Sequence, residues 1–170
     1  MTDIQSAGIP GKSIILNYLK PVNYADSFKM NVPYTYTGGI DDLTRKSFGI
    51  SPAWVSGLMK LRNAIVSPFG LKAGGEKQKA SASGILKRGD KAGIFIVIER
   101  TDAEIVMGEQ DKHLDFCVSV FLEGESGKRS VTVTTIVKFN NWFGRLYFTI
   151  IRPFHRLIVP SVMKYNVDKL

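Results

Sequence analysis

The sequence predicts an α+β fold in which a curved antiparallel β-sheet wraps around a long C-terminal α-helix, with two short helices after the first strand. Three observations carry this. Residues 92–139 alternate apolar and polar side chains in short runs parted by turn residues, the period of half-buried strands. Residues 51–67 repeat apolar positions at helical spacing, and residues 142–166 do so over a length that can close a sheet.

Taken in order, residues 1–22 are mixed, and Gly8-Ile9-Pro10-Gly11 argues for an irregular arm. A short apolar piece at 13–19 is expected to pack on the body, because Pro21 stops it; the domain proper is then residues 23–170. Over 24–36, Phe28, Met30 and Val32 alternate with Lys29 and Asn31, which reads as a first strand. Gly38-Gly39 closes it, and Asp41 and Asp42 introduce a short helix at 43–48. Ser51-Pro52 starts a second helix, with serine as N-cap and proline in the first turn. Trp54, Leu58, Leu61, Arg62 and Ile65 then share one helical face until Pro68 and Gly70 end it. Residues 73–84, rich in Gly, Lys, Ala and Ser, read as a loop rather than a domain boundary.

Strands at 92–99 and 103–108 meet at the turn Arg100-Thr101-Asp102. In 113–122, Leu114, Phe116, Val118, Val120 and Leu122 share a face; in 131–139, Val131, Val133, Thr135, Val137 and Phe139 do the same. The Gly-rich loop at 124–127 joins them as a hairpin, so the natural reading is an antiparallel meander with one face buried. Asn140-Asn141 caps the closing helix, whose Phe143, Tyr147, Ile150, Phe154, Leu157 and Ile158 form the stripe expected to face the sheet. Pro153 and Pro160 each remove a backbone donor and should kink it. No other element is long enough to cover the sheet, and the arrangement is a helix-grip.

Composition narrows the function classes. A chain of 170 residues can bury a core as one domain, and 44% hydrophobic with 22% charged residues is ordinary for a globular protein. The lone Cys117 excludes an internal disulfide framework and any multi-cysteine zinc site; it suits a reducing compartment, so a cytoplasmic location is expected. Residues 1–10 contain Asp3 and Gln5 and lack the apolar run of a signal peptide. The apolar stretch 142–163 is interrupted by Arg145, Arg152, His155, Arg156 and two prolines, which argues against a membrane span. The net charge of +8 attracts anions in general, with its densest runs at 72–91 and on the last helix. Basic and aromatic residues do not interleave as in RNA-binding modules, so no specific nucleic acid is expected, whereas peripheral contact with an anionic membrane fits the basic helix.

Three stretches resemble a known family: Trp54-Val-Ser-Gly-Leu-Met-Lys-Leu-Arg-Asn-Ala-Ile-Val with Phe69-Gly-Leu-Lys; Gly108-Glu-Gln-Asp-Lys-His-Leu-Asp-Phe; and Gly144-Arg-Leu-Tyr-Phe-Thr-Ile-Ile-Arg-Pro-Phe-His-Arg-Leu-Ile-Val. Together, over residues 24–165, they resemble an uncharacterised bacterial family known only as a domain of unknown function. That family is similar to the START and birch-pollen-allergen-like (SRPBCC) superfamily of helix-grip proteins. The resemblance implies a cavity between sheet and helix for an apolar or amphipathic small molecule, lipid-like, aromatic or polyketide-like. It implies no single chemistry, since this fold hosts carriers, receptors and enzymes alike. No catalytic residue is carried over.

The residues that could serve such a site are few. His113 and Asp115 sit two apart on a strand and point the same way, as an acid–base pair would, although opposite the apolar stripe of Leu114 and Phe116. The bland alternative is a hydrogen-bonded pair on the outer face or at a strand end. Arg152, His155 and Arg156 occupy neighbouring helical positions and could clamp a carboxylate or phosphate, or simply pair with acids of the sheet. Arg62 beside an apolar helix face needs an anionic or carbonyl partner, from protein or ligand, and Trp54, Trp142 or Tyr147 could line a pocket, though large aromatics are commonly core. A cyclase, dehydratase or hydrolase in the same cavity would need His113, Asp115 or Tyr147 to face inward. Cys117 has no assured base beside it, no Gly-x-Ser-x-Gly elbow or phosphate loop occurs, and two distant histidines predict no metal or cofactor. Nothing in the pattern specifies an oligomeric state.

Overall fold

A computed structural model of the chain describes residues 3–49, 57, 84–93, 95–125 and 127–170. Within them lies one antiparallel sheet of seven strands, with a long C-terminal helix. The strands are β1 (Ile4–Ser6), β2 (Tyr24–Asn31), β3 (Lys91–Ala92), β4 (Phe95–Arg100), β5 (Glu104–Gln110), β6 (Leu114–Glu123) and β7 (Ser130–Phe139). Their spatial order is β1-β2-β7-β6-β5-β4-β3, so β2 crosses over to pair with the last strand while β3 to β7 run as the expected meander. Among the described residues the helices with both ends described are α1 (Ile40–Gly49) and α2 (Trp142–Val167), with a 3-10 turn at Ile15–Asn17. Of the helix expected at 51–67, with Trp54 and Arg62, only Gly57 is described, and it is helical; nearly all of the loop expected at 73–84 lies outside the described residues.

Two local readings change. The arm is not wholly irregular: Ile4 to Ser6 pair with Met30 to Phe28 as an edge strand. Three residues are too few to display a period, so only the partner strand reveals them. The first strand stops at Asn31 rather than continuing to residue 36, since Pro33 lacks an N–H for the ladder and instead accepts a turn bond from Tyr36 at 3.0 Å.

Period two divides the sheet side chains between two faces. On one, Met107, Val118, Val120, Val131 and Val133 pack with Leu43 of α1 and with Met163 and Val167 of α2. We call this the helix face. On the other, Val106, Cys117 and Ile136 lie beneath Ile15 and Leu19 of the N-terminal segment. That segment is pinned by a buried acid: Glu104 of β5 accepts from Ser13 Oγ at 2.5 Å and from the Ile14 amide at 2.8 Å. The carboxylate thereby satisfies donors at the start of the 3-10 turn, and its own burial is offset by charge-assisted bonds.

The closing helix begins where Asn140-Asn141 placed it. Asn141 is the N-cap, its Oδ1 accepting from the Gly144 amide at 2.9 Å. A Cβ at Gly144 would overlap the His113 carbonyl, so only glycine lets the helix approach the β5–β6 turn this closely. At the far end, Asn166 Nδ2 donates to the Ser47 carbonyl of α1 at 3.1 Å. The stripe expected to face the sheet does not do so as a unit. Ile150, Phe154 and Leu157 are exposed, while Gly144, Phe148, Met163, Asn166 and Val167 are buried. The helix is apolar on most of its circumference, so side-chain type alone does not select its buried face.

Candidate functional site

The seam between β2 and the middle of α2 holds a compact polar cluster. Tyr24 and Asp26 stand on the helix face of β2, in register with Val137 and Thr135 of β7. Tyr24 OH donates to Asp26 Oδ2 at 2.6 Å, and His155 Nε2 lies 3.3 Å from Asp26 Oδ1. The Asp26 side chain is only 8% exposed and that of His155 21%, so this pairing takes place largely out of water. Burial, and then the hydrogen bond and charge of Asp26, raise the Tyr24 pKa above its ordinary value, with Arg156 at the hydroxyl opposing them. The phenol therefore stays protonated and keeps donating to the carboxylate.

Aromatic rings frame the cluster. Tyr24 lies 4.7 Å from the buried Phe148, centroid to centroid, and Phe148 is 5.5 Å from Phe139. Further across the helix face, Phe95 meets Phe116 at 5.7 Å. Phe95, Phe116 and Phe139 are only half-buried, although they point to the side where the core lies. Chemically, the seam joins a row of rings to an anion, a neutral phenol, an imidazole and an exposed guanidinium.

Of Arg152, His155 and Arg156, His155 turns inward to Asp26, and Arg156, though exposed, reaches the Tyr24 hydroxyl; Arg152 is exposed. His155 and Arg156 thus meet at the Tyr24–Asp26 pair. His113 and Asp115 are not joined to each other by any hydrogen bond among the described residues. Asp115 accepts from Asn140 Nδ2 at 3.0 Å and lies 4.0 Å from Lys138 Nζ, on the face opposite the helix. His113 Nδ1 is 3.0 Å from Asn141 Nδ2. Because Asn141 Oδ1 is committed to Gly144, that amide nitrogen donates, and a neutral His113 carries its proton on Nε2. An open groove of about 320 Å³ is lined by His113, Asn141, Trp142 and Phe143, which puts Trp142 at the surface. Tyr147 is half-buried on α2. Trp54 and Arg62 fall outside the described residues.

Cys117 is buried beneath the N-terminal segment, where burial and then the Asp115 charge push its thiol up to about 11. At neutral pH it is a thiol and not a nucleophile. Among the described residues no group of three His, Cys, Asp or Glu side chains could hold a metal ion, and no helix is long and apolar enough to cross a membrane. Sequence reasoning missed Tyr24 and Asp26. The signal was available in the period of β2: Asp26 stands two residues before Phe28 and four before Met30, a carboxylate in the apolar register.

Residues 18–162 match a family model described as a protein of unknown function, DUF2867, a span that contains all three stretches of the resemblance. No curated protein and no solved structure matches the chain.

Proposed function

We propose that this chain, which belongs to the DUF2867 family of proteins of unknown function, binds an apolar or amphipathic small molecule between its sheet and α2. The observation that carries the reading is the pairing of half-buried rings on the helix face with the Tyr24–Asp26–His155 cluster at its margin. A binding site of this class needs apolar lining and a few fixed polar groups to orient one end of the ligand. Phe95, Phe116 and Phe139 supply the lining. Arg156 supplies the orienting charge, because its guanidinium has more donors than the Tyr24 hydroxyl can use. The helix-grip architecture and a relation to the START-like superfamily belong to the same proposal, supported by an antiparallel sheet closed by a C-terminal helix. A single buried cysteine supports a reducing, cytoplasmic setting.

Native mass spectrometry of freshly purified protein, set against its denatured mass, tests this. The expected result is an excess mass that vanishes on denaturation and is retained less by Tyr24→Phe and Asp26→Asn. A clean apo mass, combined with no rise in melting temperature on adding fatty acids or apolar extracts, would sink the idea.

A second reading, acid–base catalysis at the same seam, is favoured by the contact of His155 with Asp26 beside a tyrosine hydroxyl. It differs in one outcome: Asp26→Asn would leave a ligand bound but chemically unchanged.

A further inference from the structure

We infer that the outward face of α2 docks on the surface of an anionic phospholipid bilayer. This rests on the course of the helix and stands independently of any ligand at the seam. Trp142, Leu146, Ile150, Phe154 and Leu157 follow one another at steps of four, four, four and three, so they form one row along the helix. All five are exposed: Trp142 at 75%, Leu157 at 64% and the others by 44% or more. The row extends for about 22 Å at the α-helical rise. The row is turned away from the sheet.

A second row runs beside the first. Arg145 and Arg152 are exposed and fall on one flank of the helix, while Arg156 on the same flank is engaged by the Tyr24 hydroxyl. Among the described residues, Arg145 and Arg152 have no acidic partner within ion-pair distance. Not one of the 26 residues of α2 is Asp or Glu. An apolar row of Trp, Leu, Ile and Phe flanked by cations is the composition of a helix that lies in a membrane interface, its apolar side among acyl chains and its cations among phosphates. Trp142 stands at one end of the row, where an indole favours the headgroup level. The chain as a whole, at +8, is drawn to the same surface.

Charge also decides between occupants. A two-fold interface would set this face against its own copy, and a helix without acids would then bring arginine towards arginine. Nucleic acid would satisfy the arginines but would leave branched aliphatic side chains unmatched. The anionic bilayer is the surface that meets both rows.

The experiment is co-sedimentation of the full chain with vesicles of phosphatidylcholine alone and of phosphatidylcholine with phosphatidylserine, at low and high salt. Binding is expected to the mixed vesicles and not to the neutral ones. The Ile150→Gln, Leu157→Gln double variant should lower partitioning about tenfold or more, given the apolar area it withdraws. Arg145→Gln with Arg152→Gln should weaken binding and reduce its salt sensitivity. Both pairs lie on exposed positions, and an unchanged thermal melt confirms that they fold. In addition, Trp142→Phe should remove a fluorescence signal that brominated lipids quench. Absence of binding overturns the proposal. So does binding that the Ile150→Gln, Leu157→Gln variant leaves intact, since that is charge attraction alone. A gel-filtration dimer that this variant dissociates, without vesicle binding, would assign the face to a second copy instead.

Discussion

The two faces of the sheet are covered in opposite ways. On one, a short segment around residues 13–19 is held down by Ile15, Leu19 and the paired Glu104, and the residues beneath it are fully dry. On the other, a helix of 26 residues packs Met163 and Val167 into the core near its C-terminal end and meets β2 through Phe148 and a polar cluster, while phenylalanine rings nearby stay half-buried. A small cover can be as tight as a large one where its apolar residues are buried and its polar donors are paired. The long cover leaves apolar surface on both of its sides, which is where binding chemistry has room to act.

The comparison can be broken at its tight side first. Ile15→Ala empties the centre of the smaller cluster and should cost about 2–5 kcal/mol, measured by urea unfolding. A loss well under this range would mean that the segment is a surface attachment and not part of the core. Next in size is Glu104→Ala, which strips the Ser13 hydroxyl and Ile14 amide of their acceptor and should cost about 1–3 kcal/mol. Asp26→Ala, on the helix side, should cost less in the same measurement, since water reaches His155 more easily than it reaches Glu104. If the order is reversed, the seam is the main staple of the fold, and the ligand reading loses its support.

A smaller effect sharpens the helix side at high pH. Tyr36, on the loop leading into α1, donates to Asp42 at 2.7 Å, and burial followed by that bond raises its pKa well above 10.0. The neutral phenol is favoured in the folded state, so its contribution is complete below the unfolded value and is lost as pH rises from there through the folded one. The melting-temperature gap between the parent and Tyr36→Phe should thus be constant from neutral pH to 10.0 and narrow above it. A gap that widens there would contradict the assignment. The smallest effect is on reactivity. With its thiol pushed up to about 11, Cys117 should resist maleimide at neutral pH and react promptly in denaturant. Fast native labelling would mean that the N-terminal segment opens readily.

Most strands were legible in the sequence because each displays several periods of alternation: β6 and β7 begin and end within a residue or two of their expected bounds. The long helix was equally legible, fixed by Asn141 at its start. Its orientation was not. Phe143, Tyr147, Ile150, Phe154 and Leu157 make a convincing apolar stripe, yet the buried side is chosen by Gly144 against a backbone carbonyl, His155 towards Asp26 and Asn166 towards Ser47. Those three are small or polar, and they act through partners far away in the chain. The candidate site was half legible for the same reason: His155 stood out by residue type, whereas Asp26 matters only through the register that brings β2 under the helix.

Gly144 and Asn166 have one more consequence, a mechanical one. The helix behaves as a beam fixed at both ends, at one by the close approach of Gly144 to the β5–β6 turn and at the other by the amide of Asn166 on α1. A beam held this way neither slides nor swings out like a door. Its compliance lies in bending, and bending is easiest where backbone bonds are already absent, at Pro153 and Pro160. His155 sits between those two prolines, so a bend centred there acts directly on its contact with Asp26.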